Sequence, residues 1–233
     1  MIAHATPRGR APHRPLVVEL AGPAGAGKST LAHALAALAT DGRQLAVWGL
    51  PRMALLAGAA RVVPAALSAA RSGRPLSSGE LAQMVRIDAL RRIVDRACGT
   101  TGDVVVLDEG PVFGLSWFEV FHRRNGDPGW AGWRRRAVRA WARRLDAVVY
   151  VDAEDAVLAS RIRTRAKAHP VKDADDPVIT DFTRCFRNAF ARVLDELKDA
   201  GRVPVLRLRD HTSDPARAAV RLRAALEDLR HGR

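Results

Sequence analysis

The sequence predicts an α/β domain in which a parallel sheet is covered by helices on both faces, and three observations lead there. Short apolar runs alternate with longer helical stretches along the whole chain. One run, Asp103 to Leu107, is nearly all β-branched, the pattern of a strand buried on both sides. The first run passes at once into a glycine-rich turn and then an Ala/Leu-rich helical stretch, a strand–turn–helix unit.

In chain order, residues 1–14 carry no apolar core of a signal segment and read as a disordered tail, leaving 15–233 as a single domain. Leu16 to Leu20 is the first strand and Ser29 to Ala39 the first helix. Leu45 to Leu50 is a second apolar run, closed by Pro51, and helical patterning resumes over Arg52 to Ala70. The turn-rich segment Arg71 to Gly79 breaks it before a further helix, Glu80 to Ala97. After the third strand an irregular stretch leads to the turn signal Asn125-Gly126-Asp127-Pro128-Gly129. Trp130 to Leu145 reads as helix, Ala147 to Val151 as the fourth strand, and Asp152-Ala153-Glu154 as the start of another helix. Asp181 to Leu197 is amphipathic, with Phe182, Cys185, Phe186, Ala189, Val193, Leu194 and Leu197 on one face. Val203 to Leu208 is the fifth strand, and Asp214-Pro215 places a capping side chain and an N1 proline at the start of a last helix.

Composition narrows the classes. With 48% hydrophobic and 27% charged residues in 233, the chain is neither acidic nor apolar-poor, which excludes a disordered protein. No uninterrupted apolar stretch is long enough to span a bilayer. Cys98 and Cys185 lie far apart without paired spacing, which suits a reducing, cytoplasmic setting. The formal charge of +13 admits an anionic partner, and equally admits a general arginine bias on solvated helix faces. The lysines are informative because they are few: Lys28, Lys167, Lys172 and Lys198. Trp130, Trp133 and Trp141 stand among six arginines between Arg134 and Arg144. At helical spacing they form a stripe suited to covering a sheet, with arginine stems laid around it. The rival reading is a surface for an anionic membrane or nucleic acid. The stripe reading argues against nucleic acid, and a homodimer is left open.

Gly22-Pro23-Ala24-Gly25-Ala26-Gly27-Lys28-Ser29 satisfies the phosphate-loop pattern G-x-x-x-x-G-K-[ST]. Its glycines let backbone N–H groups converge on phosphate oxygens, and the following helix adds the positive end of its dipole. Lys28 then reaches the β- and γ-phosphates and Ser29 ligates Mg²⁺, so ATP and Mg²⁺ are the expected cofactors. Asp108 and Glu109 end the third strand, at the carboxyl edge where open α/β sheets bind ligands. Asp108 is the expected second Mg²⁺ residue. Either acid is a candidate base: for a substrate hydroxyl in a kinase, or for water in an ATPase acting as switch or motor. No Asn-Lys-x-Asp guanine motif is present. Arg161, Arg163, Arg165, Lys167, His169 and Lys172 form a cationic cluster before the acidic run Asp173 to Asp176, a candidate lid over about 161–177.

Taken in order, GPAGAGKST, VVVLDEGP, VVYVDAEDAVLASRIRTR, ITDFTRCFRNAFARVLDEL and VPVLRLRDHT resemble the nucleoside and nucleotide kinases among P-loop enzymes, nearest to thymidylate-kinase-like proteins. The resemblance spans roughly Leu16 to Leu229. It implies a P-loop sandwich with five parallel strands in the order 2-3-1-4-5, a lid, and an acceptor pocket between the helices that follow strands two and three. Position by position it implies phosphate contacts from Gly22, Ala24, Gly25, Ala26, Gly27, Lys28, Ser29 and Thr30. Asp210 to Thr212 and Ser213 would flank the adenine, and Arg161 and Arg165 would serve in the lid. Arg52 and either Arg86 or Arg91 are the candidates for a substrate anion. Two departures bear on the substrate. Thymidylate kinases carry Asp-Arg where this chain has Asp108-Glu109, and the deoxynucleoside kinases' acid after strand two has no counterpart in Trp48 to Arg52. A glutamate there repels a second phosphate, which tilts the reading from a nucleotide toward a hydroxyl-bearing nucleoside or sugar.

Overall fold

The computed structural model describes residues 14–39, 42–100, 102–122, 128–201, 203–209 and 214–231. The sheet is built from β1 (Leu16–Ala21), β2 (Arg43–Leu45), β3 (Val104–Asp108), β4 (Ala147–Asp152) and β5 (Val205–Arg209), all parallel, in the order β2-β3-β1-β4-β5. That order puts the carboxyl ends of β1 and β3 side by side, with Leu20 opposite Asp108, so the phosphate loop and the acidic pair open onto one edge.

Helices sandwich this sheet. On one face α1 (Lys28–Ala37), α6 (Asp155–Thr164) and α8 (Pro215–His231) bury Leu31, Leu35, Leu158, Leu222 and Leu226 against Val18, Leu20, Val106 and Val149. On the other, α2 (Arg52–Arg71), α3 (Ser78–Cys98), α4 (Pro111–Phe121), α5 (Pro128–Ala142) and α7 (Asp176–Gly201) bury a larger core. Helix starts follow local chemistry. Ser77 and Glu80 form a reciprocal capping box on α3, and the Asp214 carboxylate accepts the Arg217 amide at 2.9 Å at the head of α8.

The structure departs from the sequence reading in four places. β2 lies upstream of the apolar run Leu45 to Leu50, whose remainder is irregular and turns at Gly49 with φ 69°. The stretch after β3 is not irregular but forms α4. Its residues PVFGLSWFEVF are apolar nearly all round, so no amphipathic period betrays them. Of the turn signal, Pro128 and Gly129 belong to α5, while 125–127 lie outside the described residues. α7 begins five residues before Asp181, absorbing Asp176 of the acidic run. The tryptophan stripe is core: Trp130, Trp133 and Trp141 are buried, and the Trp133 indole donates to Asp88 at 3.0 Å. α2 is, among the described residues, the helix long and apolar enough to cross a membrane. Gly58 in its middle lets it lie directly on α3, where an added Cβ would stand 2.5 Å from the Val85 carbonyl oxygen.

Candidate functional site

The site begins where β1 ends. Gly22 turns the chain with φ 143°, and a Cβ there would lie 1.9 Å from the Val151 carbonyl oxygen, so only glycine fits between β1 and β4. Gly27 holds φ 88° and caps α1 without any side-chain acceptor, leaving the helix's first amides to whatever anion enters the loop. Lys28 donates to the carbonyls of Gly22 and Pro23, both at 2.8 Å, and so closes the loop around its own ammonium. Loss of solvent lowers its pKa, against the opposing pull of Asp108 and Glu109.

Gly22, Ala24, Gly25, Gly27, Lys28, Ser29 and Thr30 all line a cavity of about 480 Å³. Ala26 does not: its methyl is buried in the core and its amide donates to the Pro23 carbonyl at 3.3 Å. Just past β3, Glu109 lines the cavity, whereas Asp108, the strand's last residue, does not. Asp108 accepts a long bond from Gln44 at 3.4 Å on one oxygen; the other, Oδ1, is buried with no hydrogen-bond partner among the described residues. An orphaned buried carboxylate oxygen beside a phosphate loop fits a hydrated divalent cation. No cluster of three or more metal-ligating side chains occurs among the described residues.

Glu109 is the one non-glycine with positive φ, 62°, among the described residues. Two contacts hold it there: the Val47 amide donates to its carbonyl at 3.1 Å, and the Trp48 indole N–H donates to its carboxylate. Strained backbone of this kind persists only where its surroundings over-determine it, and it concentrates at functional sites. The Arg86 guanidinium lies 4.5 Å above the Trp48 ring and braces it.

The predicted lid is the end of α6, a loop, and the start of α7. Arg161, Arg165, Lys167 and His169 line the cavity, and Arg161 also donates to the Gly25 carbonyl at 3.3 Å. Arg163 and Lys172 instead hold the lid's own shape. Arg163 bridges Asp176 at 2.5 Å and the Ala174 carbonyl, and Lys172 donates to the Arg165 carbonyl at 2.7 Å. Burial, with Arg165 and Lys28 nearby, pushes the His169 pKa down.

Three predicted substrate residues lie elsewhere. Arg52 is exposed at the head of α2, Arg86 braces Trp48, and Arg91 pairs with Asp88 at 3.7 Å and Asp95 at 3.5 Å. None lines the cavity. Asp210 and Thr212 lie outside the described residues.

Sequence reasoning missed three features. Glu19, fully buried in β1, accepts the amides of Val112 and Phe113 at 3.0 and 3.1 Å and so caps α4 from 93 residues away. Arg187 fastens α7 to the end of β4 through Asp152 at 3.0 Å and through Asp155. Most consequential is the cavity's far wall, made by Phe113, Trp117 and Phe121 on α4 and by Phe182, Phe186 and Phe190 on α7. Both sets repeat every four residues, so the signal was present, but on α7 it reads as an ordinary core face.

No protein-family model matches the chain, and no curated protein matches it in sequence. Among solved structures it is similar to a shikimate kinase from Bacteroides thetaiotaomicron, with 16% identity over 91% of this chain and 98% of that one at a TM-score of 0.49. A shikimate kinase from Acinetobacter baumannii in complex with shikimate gives 15% identity over 92% and 94%, TM-score 0.47. A gluconokinase from Sinorhizobium meliloti 1021 gives 19% over 94% and 98%, TM-score 0.43. None of these three is a thymidylate kinase.

Proposed function

We propose that this protein is an ATP- and Mg²⁺-dependent phosphotransferase that phosphorylates a hydroxyl group of a small-molecule acceptor. One observation carries the reading: Glu109, strained and clamped by Trp48, stands in the cavity between the phosphate loop and a walled pocket. A plain ATPase has no use for that pocket, whereas a kinase needs a base where the two meet.

The loop amides and Lys28 would hold the phosphates, Ser29 the Mg²⁺ directly and Asp108 the Mg²⁺ through its hydration water. When bound, the cation screens phosphate charge against the incoming oxygen. Glu109 accepts the hydroxyl proton of the acceptor, since its carboxylate reaches the cavity and that of Asp108 does not. Arg161, Arg165 and Lys167 offset the charge on the transferred group, and the lid that carries them excludes water. Within P-loop kinases, the sequence motifs support kinship with the nucleoside and nucleotide branch, with Asp210 to Ser213 at the adenine. Beyond the phosphate loop and the lid, the charged side chain lining the cavity among the described residues is Glu109, which favours a hydroxyl over a nucleotide phosphate as acceptor. The unpaired Cys98 and Cys185 support a cytosolic setting.

The test is to incubate the protein with Mg·ATP, with and without uncharged and charged alcohols, and to follow ADP release and labelled phosphate. Acceptor-dependent transfer, lost in Lys28→Ala, is the expected result. Brisk hydrolysis indifferent to every acceptor means that Glu109 activates water instead.

A further inference from the structure

The pocket's chemistry narrows the acceptor. Among the described residues, the cations lining the cavity are Lys28, Arg161, Arg165 and Lys167, with His169 beside them. All of them belong to the phosphate loop or the lid. Beyond Glu109 the wall is aromatic. Phe113 of α4 and Phe186 of α7 face across with planes 6° apart and centroids 6.4 Å apart. Phe182 packs on Phe186 at 5.1 Å, and the lid's His169 meets Phe182 nearly edge-on at 5.2 Å. The lid therefore rests on the same ladder that lines the pocket.

Among the described residues that line this end, an acceptor bearing a carboxylate or phosphate would meet the Glu109 carboxylate and no cation. A polyol would lose water from several hydroxyls against aromatic faces that return no hydrogen bonds. A flat or apolar frame loses nothing on entry and gains ring contacts.

We infer that the acceptor is an uncharged alcohol on an aromatic or otherwise apolar frame, its hydroxyl at Glu109 and its frame against the aromatic wall that α4 and α7 form together. This rests on the phosphotransferase reading, and the experiment separates the two. Full-length protein with Mg·[γ-³²P]ATP is offered 2-phenylethanol, thymidine, D-glucose, D-gluconate and thymidine 5′-monophosphate. In parallel, 2-phenylethanol and glucose are titrated against the intrinsic fluorescence of the pocket tryptophans without ATP.

The expected result is a kcat/KM for the first two acceptors at least about thirtyfold above the other three, with quenching by 2-phenylethanol alone. Phe182→Leu should raise KM for the aromatic alcohols about tenfold with kcat within a factor of two, and Phe182→Tyr should restore it. Best turnover with glucose, gluconate or the monophosphate overturns the acceptor class and leaves the phosphotransferase standing. Quenching by 2-phenylethanol without transfer to any acceptor supports the pocket's chemistry and overturns the phosphotransferase. An unchanged KM in Phe182→Leu, with the protein folded by circular dichroism, removes the ladder from the acceptor site and overturns the inference.

Discussion

At the scale of single residues, the site depends on side chains placed against their ordinary preferences. Glu19 is the clearest. Burial pushes its carboxyl up to about 8, although the amides of Val112, Phe113 and Gly110 all pull it down. The folded protein thus keeps a proton that the unfolded chain releases near 4.5. The stabilisation is complete below that lower value and drains away as pH rises through the folded one. The unfolding free energy from urea titrations at pH 5 to 8 should fall for the wild type by roughly 1.4 kcal/mol per pH unit inside the window. Glu19→Gln should flatten that slope; an unchanged slope assigns the proton elsewhere. Trp48 offers a second test. Trp48→Phe keeps a ring beneath Arg86 but removes the donor to Glu109. A hydrogen bond to a charged group is worth about 1.5–3 kcal/mol, so kcat should fall roughly tenfold or more while KM for the acceptor moves little.

At the scale of elements, α4 decides the architecture of the pocket, and it is the element hardest to read. Its first amides are satisfied by a carboxylate from a strand far away in sequence, so no local cap announces it. Gly110, just before it, has room for nothing more: a Cβ would sit 2.8 to 3.0 Å from the carboxyl atoms of Glu19. Gly110→Ala should therefore cost about 1–3 kcal/mol in chemical denaturation and loosen the ladder that begins at Phe113. A neutral effect would mean that the carboxyl moves aside without consequence. β2 was misplaced for a related reason. The apolar residues after Leu45 serve the site rather than the sheet, with the Val47 amide bound to Glu109 and Trp48 holding its carboxylate. By contrast α5 and α8 are legible, because a tryptophan stripe and an Asp-Pro start are local signals, and α3 shows as helical patterning over Glu80 to Ala97, although its capping box at Ser77 lies in what reads as a turn.

Over the whole molecule, the sheet order brings together what the sequence separates. Gly22 to Thr30, Asp108 and Glu109, and the cations 161–169 meet at one edge because β3, β1 and β4 are neighbours. These were legible as motifs, since glycine geometry and a charged strand end leave marks in short windows. The aromatic wall was not, since it arises from α4 and α7, helices far apart in sequence whose aromatic faces look like core until they are packed. Of the arginines that the resemblance offers as anion anchors, Arg86 stacks on Trp48 and Arg91 pairs within α3 with Asp88 and Asp95, while Arg52 lies exposed. Much of the arginine surplus has the same fate: Arg134 binds Glu119 and Glu196, and Arg144 binds Asp95. The central claim is that these parts converge on a base for phosphoryl transfer, and Glu109→Gln tests it most directly. With Mg·ATP and the best acceptor, single-turnover transfer should fall by about 10²–10⁴ while calorimetric ATP affinity stays within a few-fold. Transfer at the wild-type rate would contradict the account.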